Sequence, residues 1–358
     1  MFASQFMSVY NIDGCDDTYN DPFKNPFISH AFNETLASIH ISRDGILKTL
    51  NSLDLNKGAG PDCIPPYFIG KCADNLVTPL YYIFNASIKS GIFPSVWKTA
   101  KVVPIHKSGD IHLVSNYRPI SILSSLAKIF ESLVCPIVQK HFEKYACDEQ
   151  NGFLRGRSIN TNLASYIEDL IVSVDDKKQV DAIYTDFAKA FDKVVHKILI
   201  TKLNSYGFTG KLLDWLRSYL ADRSFFVVVN GFNSSPCNIS SGVPQGSHLG
   251  PILFNVFIND LPLCFSHSTP LLFADDLKLY KIINSWEDII NFQKDLDALV
   301  SWCKLNRMEL NVSKCLHIKF TRKNIFIPSI YFINDKQISE TRTIKDLGIT
   351  IDTKLTFV

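Results

Sequence analysis

Two adjacent aspartates, Asp275 and Asp276, stand between two apolar runs. Leu271-Leu272-Phe273 precedes them and Leu277-Lys278-Leu279-Tyr280 follows in alternating style. Carboxylates carried into such surroundings are costly without a compensating positive charge. The pattern predicts two strands over 270–283 that meet at the aspartate pair. A divalent metal at the junction would compensate the charge. An exposed turn, where aspartate is common, accounts equally well for this motif alone.

A second aspartate repeats the design. Ile183-Tyr184-Thr185-Asp186 predicts a strand over 181–187 with Asp186 near its end. Mg²⁺ takes oxygen ligands, usually one or two carboxylates plus substrate phosphates. Two carboxylates brought together at adjacent strand ends would suit a two-metal nucleotidyl transfer. Asp192 reads as a helix N-cap ahead of Val194 and Val195. In Ser241-Gly242-Val243-Pro244-Gln245-Gly246-Ser247, glycine and proline on both sides of Gln245 predict a turn that lets a backbone or ligand come close. The Gln245 amide offers a donor and an acceptor together; an ordinary loop is the alternative.

The remaining elements follow from periodicity and breakers. Helices are predicted over 42–53, 72–90 (ended by Gly91 and Pro94), 121–142 (interrupted near Pro136), 194–206, 211–220, 248–261 and 287–305. In the last of these, Ile290, Leu296, Leu299, Val300 and Trp302 are available to a core. Short strands are predicted at Val102-Val103 before Pro104, at 225–229 turning at Asn230-Gly231, and at 315–320, 329–333 and 346–351. The sum is an α+β chain whose small, mostly antiparallel sheet is backed by helices. Residues 1–40 are rich in Asn, Asp and Ser and read as loosely ordered.

Composition narrows the compartment and the partner. The nine cysteines are odd in number, widely spaced and without a CxxC, which argues against a zinc site or disulfide framework and for a reducing, intracellular setting. The N-terminus lacks a signal-peptide pattern, and no run reaches the roughly 20 apolar residues that span a bilayer. Net charge is only +2, yet it is uneven: residues 301–358 carry 10 basic against 5 acidic residues, and 151–300 carry 14 against 16. Basic flanks around an acidic centre suit a cleft with cationic walls and a carboxylate floor; mixed solvated charge gives the same count.

Taken in order, the motifs resemble one family. Lys57-Gly58-Ala59-Gly60-Pro61-Asp62-Cys63-Ile64-Pro65, Trp97 to Lys107, Asn116-Tyr117-Arg118-Pro119-Ile120-Ser121 and Asn151-Gly152-Phe153-Leu154-Arg155-Gly156-Arg157-Ser158 come first. The Asp186 segment, Trp215 to Leu220, the Gln245 loop running into Leu249 to Phe254, Phe273-Ala274-Asp275-Asp276, Leu310 to Lys314 and Leu347-Gly348-Ile349 follow. This series, from about Leu55 to Asp352, closely resembles the reverse transcriptases of non-LTR retrotransposons, nearest the jockey-like branch.

The resemblance implies a right-hand polymerase fold: helical fingers, an antiparallel palm sheet and the start of a truncated thumb. It implies an N-terminal extension and start of fingers over 1–86, a reverse transcriptase domain over 87–353 and a thumb stub over 354–358. By similarity, Asp186 and Asp275 bind two Mg²⁺ (or Mn²⁺) ions and Asp276 assists. Arg118 would grip the nucleotide triphosphate, with Lys101 and Lys107 as weaker candidates. Phe191 would lie under the incoming sugar and exclude a ribose 2′-hydroxyl; a plain core aromatic is its alternative. Phe191 follows Asp186 by five residues, so the chain must turn after Asp186, and Ala188-Lys189-Ala190 favours a helical start there. Gln245 and Gly246 would shape the nucleotide pocket, and Lys314 would protonate pyrophosphate, unless it is a surface lysine.

The implied activity is RNA-directed DNA synthesis from dNTPs, on an RNA template and from a DNA primer or target site. The implied compartments are the nucleus at the reverse-transcription step and a cytoplasmic ribonucleoprotein. Ala59 and Cys63 depart from the family's proline and glycine, and the chain ends where most of a thumb would follow. Two other readings stand beside this one. A non-catalytic nucleic-acid-binding relic would keep the fold. An RNA-dependent RNA polymerase shares the paired aspartates, but Phe191 argues against it.

Overall fold

The computed structural model describes residues 1–10 and 34–356. Cys15 and most of the loosely ordered reading for 1–40 therefore lie outside the described residues, as do the last two residues of the expected thumb stub. The strands, in chain order, are β1 (Thr99–His106), β2 (Tyr117–Ile122), β3 (Gln179–Thr185), β4 (Arg223–Val229), β5 (Phe232–Asn233), β6 (Cys237–Ile239) and β7 (Thr269–Phe273). They continue with β8 (Asp276–Ile283), β9 (Leu316–Phe320), β10 (Phe332–Ile333), β11 (Lys336–Gln337), β12 (Ser339–Thr341), β13 (Thr343–Asp346) and β14 (Ile349–Asp352). Ten α-helices accompany them among the described residues, making a mixed α/β chain. No helix among the described residues is long and apolar enough to cross a membrane.

The chain forms two compact units. One takes in the described residues up to Tyr145 and then Phe191–Phe257; the other holds Ala146–Ala190 and the chain from Ile258 onward.

In the first unit the sheet order is β2-β1-β4-β5, with β6 also on β4. The inner face carries Ala100, Val102, Phe225 and Val227, covered by Phe6 of the N-terminal helix Phe2–Met7. Helices Ala73–Ser90, Ser125–Phe142 and Gly210–Leu220 gather Phe84, Phe93, Phe130 and Trp215 into an aromatic core, with Phe84 stacked on Phe130 at 4.4 Å. Gly91 ends its helix in the left-handed region, φ 74°, as a glycine C-cap permits.

In the second unit a five-stranded sheet runs β12-β9-β3-β8-β7. The central strand β3 is flanked by two antiparallel neighbours, so its side chains are buried almost throughout. Helix Ile159–Asp175 packs Tyr166, Leu170 and Val174 against Val180 and Ala182, together with Ile344 and Ile351 of the β13–β14 hairpin. Helix Trp286–Asn306 is opened by a Ser285/Asp288 capping box and buries Phe292, Leu296, Leu299 and Trp302.

Several sequence expectations are corrected. β1 does not stop before Pro104 but runs through it, because Pro104 lies opposite Pro119 of β2. Two facing prolines fit a ladder position that exchanges no N–H bonds. Residues 121–142 split into the end of β2 and a helix that begins at Ser125, capped by Ser124, and continues past Pro136 on its buried Val134, Val138 and Phe142 face. The segment 346–351 is a hairpin turning at Leu347-Gly348, not one strand. Ile290 is exposed, and Ile289 and Phe292 take its core place. After Asp186 the chain turns without starting a helix, through Lys189 in the left-handed region at φ 55°.

Candidate active site

Asp186 owes its place to β3. The strand is apolar and centrally paired, and Asp186 is the first residue beyond it. The chain there is held from both sides of the peptide: Asn311 N–H donates to Asp186 O at 2.7 Å, and Ala188 N–H donates to Glu309 O at 2.8 Å. The Leu310-Asn311-Val312-Ser313-Lys314 motif thus braces the strand end with its backbone. It also delivers Lys314, whose Nζ lies 3.3 Å from Asp186 Oδ2.

β7 and β8 form the predicted hairpin. Phe273 pairs with Asp276, leaving Ala274 and Asp275 as the two turn residues, with Ala274 at φ 55°. β8 in turn pairs with β3, Leu277 opposite Thr185. Asp276 and Asp186 are the next residues outward on these strands, so all three predicted aspartates gather at one end of one sheet. The electrostatics agree. Burial raises the Asp275 carboxyl above its usual range, and the Asp186 charge adds to this. Asp276 keeps an exposed edge, yet burial, then Asp275, Asp346 and Asp186, push it up to about 6 against the opposing pull of Lys278. Carboxylates that repel one another in this way are a donor set for a hard cation. Among the described residues, no three His, Cys, Asp or Glu side chains are drawn into one ligand cluster; Asp186 holds the Lys314 ammonium instead.

A cleft of about 210 Å³ opens beside the aspartates, lined by Tyr184, Asp186, Asp276, Lys278, Lys314 and Asp346. Three of these residues, Tyr184, Lys278 and Asp346, were not among the expected site residues. Lys278 looked like the polar member of an alternating strand, but it is buried and pairs with Asp346 Oδ2 at 2.6 Å. Tyr184 Oη donates to the same carboxylate at 3.2 Å. A lysine at the second position after the acidic pair, inside a strand buried on both faces, was the available signal.

The other predicted residues belong to the first unit. Lys101, Ile105 and Arg118 share one face of the β1–β2 hairpin, because Arg118 is opposite Ile105 and Lys101 is four residues from Ile105 on the same strand. Arg118 and Lys107 are exposed and Lys101 is half-buried. Phe191 is half-buried and stacks on Phe254 at 4.3 Å. Gln245 donates through Nε2 to Asp192 Oδ1 at 2.6 Å, and Ser241 donates to Asp192 O at 2.7 Å. Asp192 is therefore no N-cap: helix His196–Ser205 begins after Val195, and buried Asp192 anchors the Gln245 loop. Gly242, at φ 89°, lets that loop lie on the Phe191-Asp192 backbone, where a Cβ would meet Asp192 O at 2.8 Å. Gly246 is exposed at φ 75°.

Residues 105–351 match the reverse transcriptase (RNA-dependent DNA polymerase) family. The chain belongs to that family. The matched span contains every predicted site residue except Lys101. The chain is similar to the probable RNA-directed DNA polymerase from transposon BS of Drosophila melanogaster, 32% identical over 324 residues, covering 87% of this chain and 36% of that protein. It is 31% identical over 350 residues to the RNA-directed DNA polymerase from mobile element jockey of the same organism, covering 92% and 37%. With the probable polymerase from transposon X-element it shares 29% over 310 residues, covering 84% and 34%. The chain thus spans about a third of the length of the curated relatives it matches.

Proposed function

We propose that the chain is an RNA-directed DNA polymerase of a non-LTR retrotransposon, extending a DNA 3′ end on an RNA template with dNTPs. In this reading the five-stranded sheet is the palm, the unit bearing the β1–β2 hairpin contributes the fingers, and the end of the chain begins a thumb. The observation that carries the reading is the gathering of Asp186, Asp275 and Asp276 at the end of β3 and β8, with two of the three carboxyls raised by burial and mutual repulsion.

These carboxylates would hold divalent ions, Mg²⁺ by preference for oxygen donors, two in number as the reaction needs. When bound, the metal supplies activation of the primer 3′-hydroxyl and charge neutralisation at the leaving pyrophosphate. The chain's own side chains do the rest. Lys314, an ammonium beside Asp186, gives a proton to the departing pyrophosphate. Arg118, with Lys101 and Lys107 on the same hairpin, grips the triphosphate. Phe191, fixed by its stack on Phe254, excludes a 2′-hydroxyl. Gln245, oriented by Asp192, and Gly246 shape the nucleotide pocket. The eight described cysteines form no disulfide with one another, in keeping with a reducing compartment: the nucleus during synthesis, and the cytoplasm as a ribonucleoprotein.

One observation favours a second reading, a nucleic-acid-binding module without catalysis: Lys314 already pairs with Asp186. Incubation with an RNA template, an annealed DNA primer, Mg²⁺ and dNTPs separates the two. Primer extension abolished by chelator supports the polymerase; tight binding of primer and template with no extension supports the module.

A further inference from the structure

Gln150 is a buried glutamine that none of the roles above uses, and its side chain grips the turn between β7 and β8. Its Oε1 accepts the N–H of Ala274 at 2.9 Å and the N–H of Gly152 at 2.7 Å, while its Nε2 donates to Ala274 O at 3.4 Å. The backbone around it is stitched to β7 as an extra edge: Leu272 N–H donates to Glu149 O at 3.0 Å, and Asn151 N–H donates to Leu272 O at 2.9 Å. Asn162, also buried, adds a bond to the same Leu272 carbonyl at 3.1 Å. Gly152 completes the contact, since a Cβ there would run into Ala274 N and lie 3.1 Å from Phe273 C. Arg157 fixes Gln150 from behind, its Nη1 donating to Gln150 O at 2.7 Å.

The gripped residue matters because of its conformation. Ala274 holds φ 55° without being glycine, a backbone state that persists only where surroundings over-determine it. Asp275 and Asp276 are the next two residues, so the direction of both carboxylates is set by how Ala274 is held. We infer that Gln150 is a positioning residue for the cation site: by bonding both the N–H and the C=O of Ala274 it fixes the turn that aims Asp275 and Asp276 at a divalent ion. This rests on the proposal that these aspartates bind metal. Groups that orient metal ligands without touching the metal typically control about 10- to 100-fold in affinity.

The test is Mn²⁺ binding to the full chain, followed through the spectrum of the free ion and needing no catalysis. Gln150→Met keeps the side-chain length but leaves the Ala274 and Gly152 N–H groups without their acceptor. Gly152→Ala pushes the same turn from the other side and does not depend on whether Gln150→Met folds. Gln179→Met removes another buried glutamine, which bonds Asp181 at 2.9 Å and not the turn. The expected result is Mn²⁺ affinity at least about tenfold weaker in Gln150→Met or Gly152→Ala and unchanged in Gln179→Met. Wild-type affinity in both turn variants, or an equal loss in Gln179→Met, overturns the inference while the metal-site reading stands. If the unaltered chain binds no Mn²⁺, the metal-site reading falls and this inference with it.

Discussion

Lys314 Nζ and Asp186 Oδ2 are 3.3 Å apart, an ion pair between two partly exposed side chains 128 residues apart in sequence. Pairs of this exposure contribute at most about 1 kcal/mol to folding. Lys314→Met should therefore unfold in urea within about 1 kcal/mol of the unaltered chain. Its primer extension should fall by about 10²-fold, within the usual range for loss of a general acid. Extension at the unaltered rate would reduce Lys314 to a surface lysine.

The Lys278–Asp346 pair behaves in the opposite way. Both side chains are almost fully buried, 5% and 7% exposed, and the contact ties β8 to the β13–β14 hairpin. Removing one partner strands the other charge. Lys278→Met should cost about 3–5 kcal/mol in urea unfolding, and Lys278→Met with Asp346→Leu should restore most of it. A double variant no more stable than the single one would contradict this account of the pair.

Phe191 stacks on Phe254 at 4.3 Å with ring planes 17° apart, so its ring has a fixed place. Shortening it to valine removes ring bulk without adding a polar group. Phe191→Val should retain dNTP extension and gain rNTP incorporation, measured as the ratio of the two rates. An unchanged ratio with dNTP extension intact makes Phe191 a packing residue.

Asp181 makes folding stability depend on pH, because its carboxyl is held below the ordinary value in the folded chain. Burial alone would raise its carboxyl, but the His317 imidazole 3.4 Å away and hydrogen bonds from Ser329 and Gln179 hold it below the ordinary value. Tyr331 Oη donates to it as well, at 2.9 Å, while the flanking Lys281 and Lys319 are engaged by Asp288 and Glu340. A carboxyl depressed in the folded state stabilises fully above its unfolded value, near pH 4, and loses that contribution as pH falls through the folded value. The stability difference between the unaltered chain and Asp181→Asn should be largest above about pH 5 and should shrink towards pH 3. A difference that is constant over this range would show that the charge of Asp181 contributes nothing.

The three aspartates were legible because each is defined locally, by an apolar strand that ends or turns at a carboxylate. Seven helices were legible for the same reason, from periodicity and from breakers such as Gly91, whereas helix Ile159–Asp175, which packs on β3, was missed by the sequence expectations. What escaped depends on partners far along the chain. Lys278 mimics the polar member of a half-exposed strand, and only Asp346, 68 residues on, explains why it can be buried. Gln150 acts on a backbone turn 124 residues away. Asp192 looks like a cap because short polar residues before a helix usually are caps; its true partner is Gln245. Pro104 and Pro136 were read as breakers on local grounds, and a facing proline and a buried helix face overrode them.

The central claim is that Asp186, Asp275 and Asp276 form the metal-holding centre of a DNA polymerase. Single-turnover extension of a DNA primer on an RNA template, in Mg²⁺, compares the unaltered chain with Asp186→Asn and Asp275→Asn at matched folded fractions. The account predicts chelator-sensitive extension by the unaltered chain and a loss of about 10²- to 10³-fold or more in each variant, the scale for removing a preorganised electrostatic group. Extension by either variant at the unaltered rate would contradict it, as would no extension by the unaltered chain.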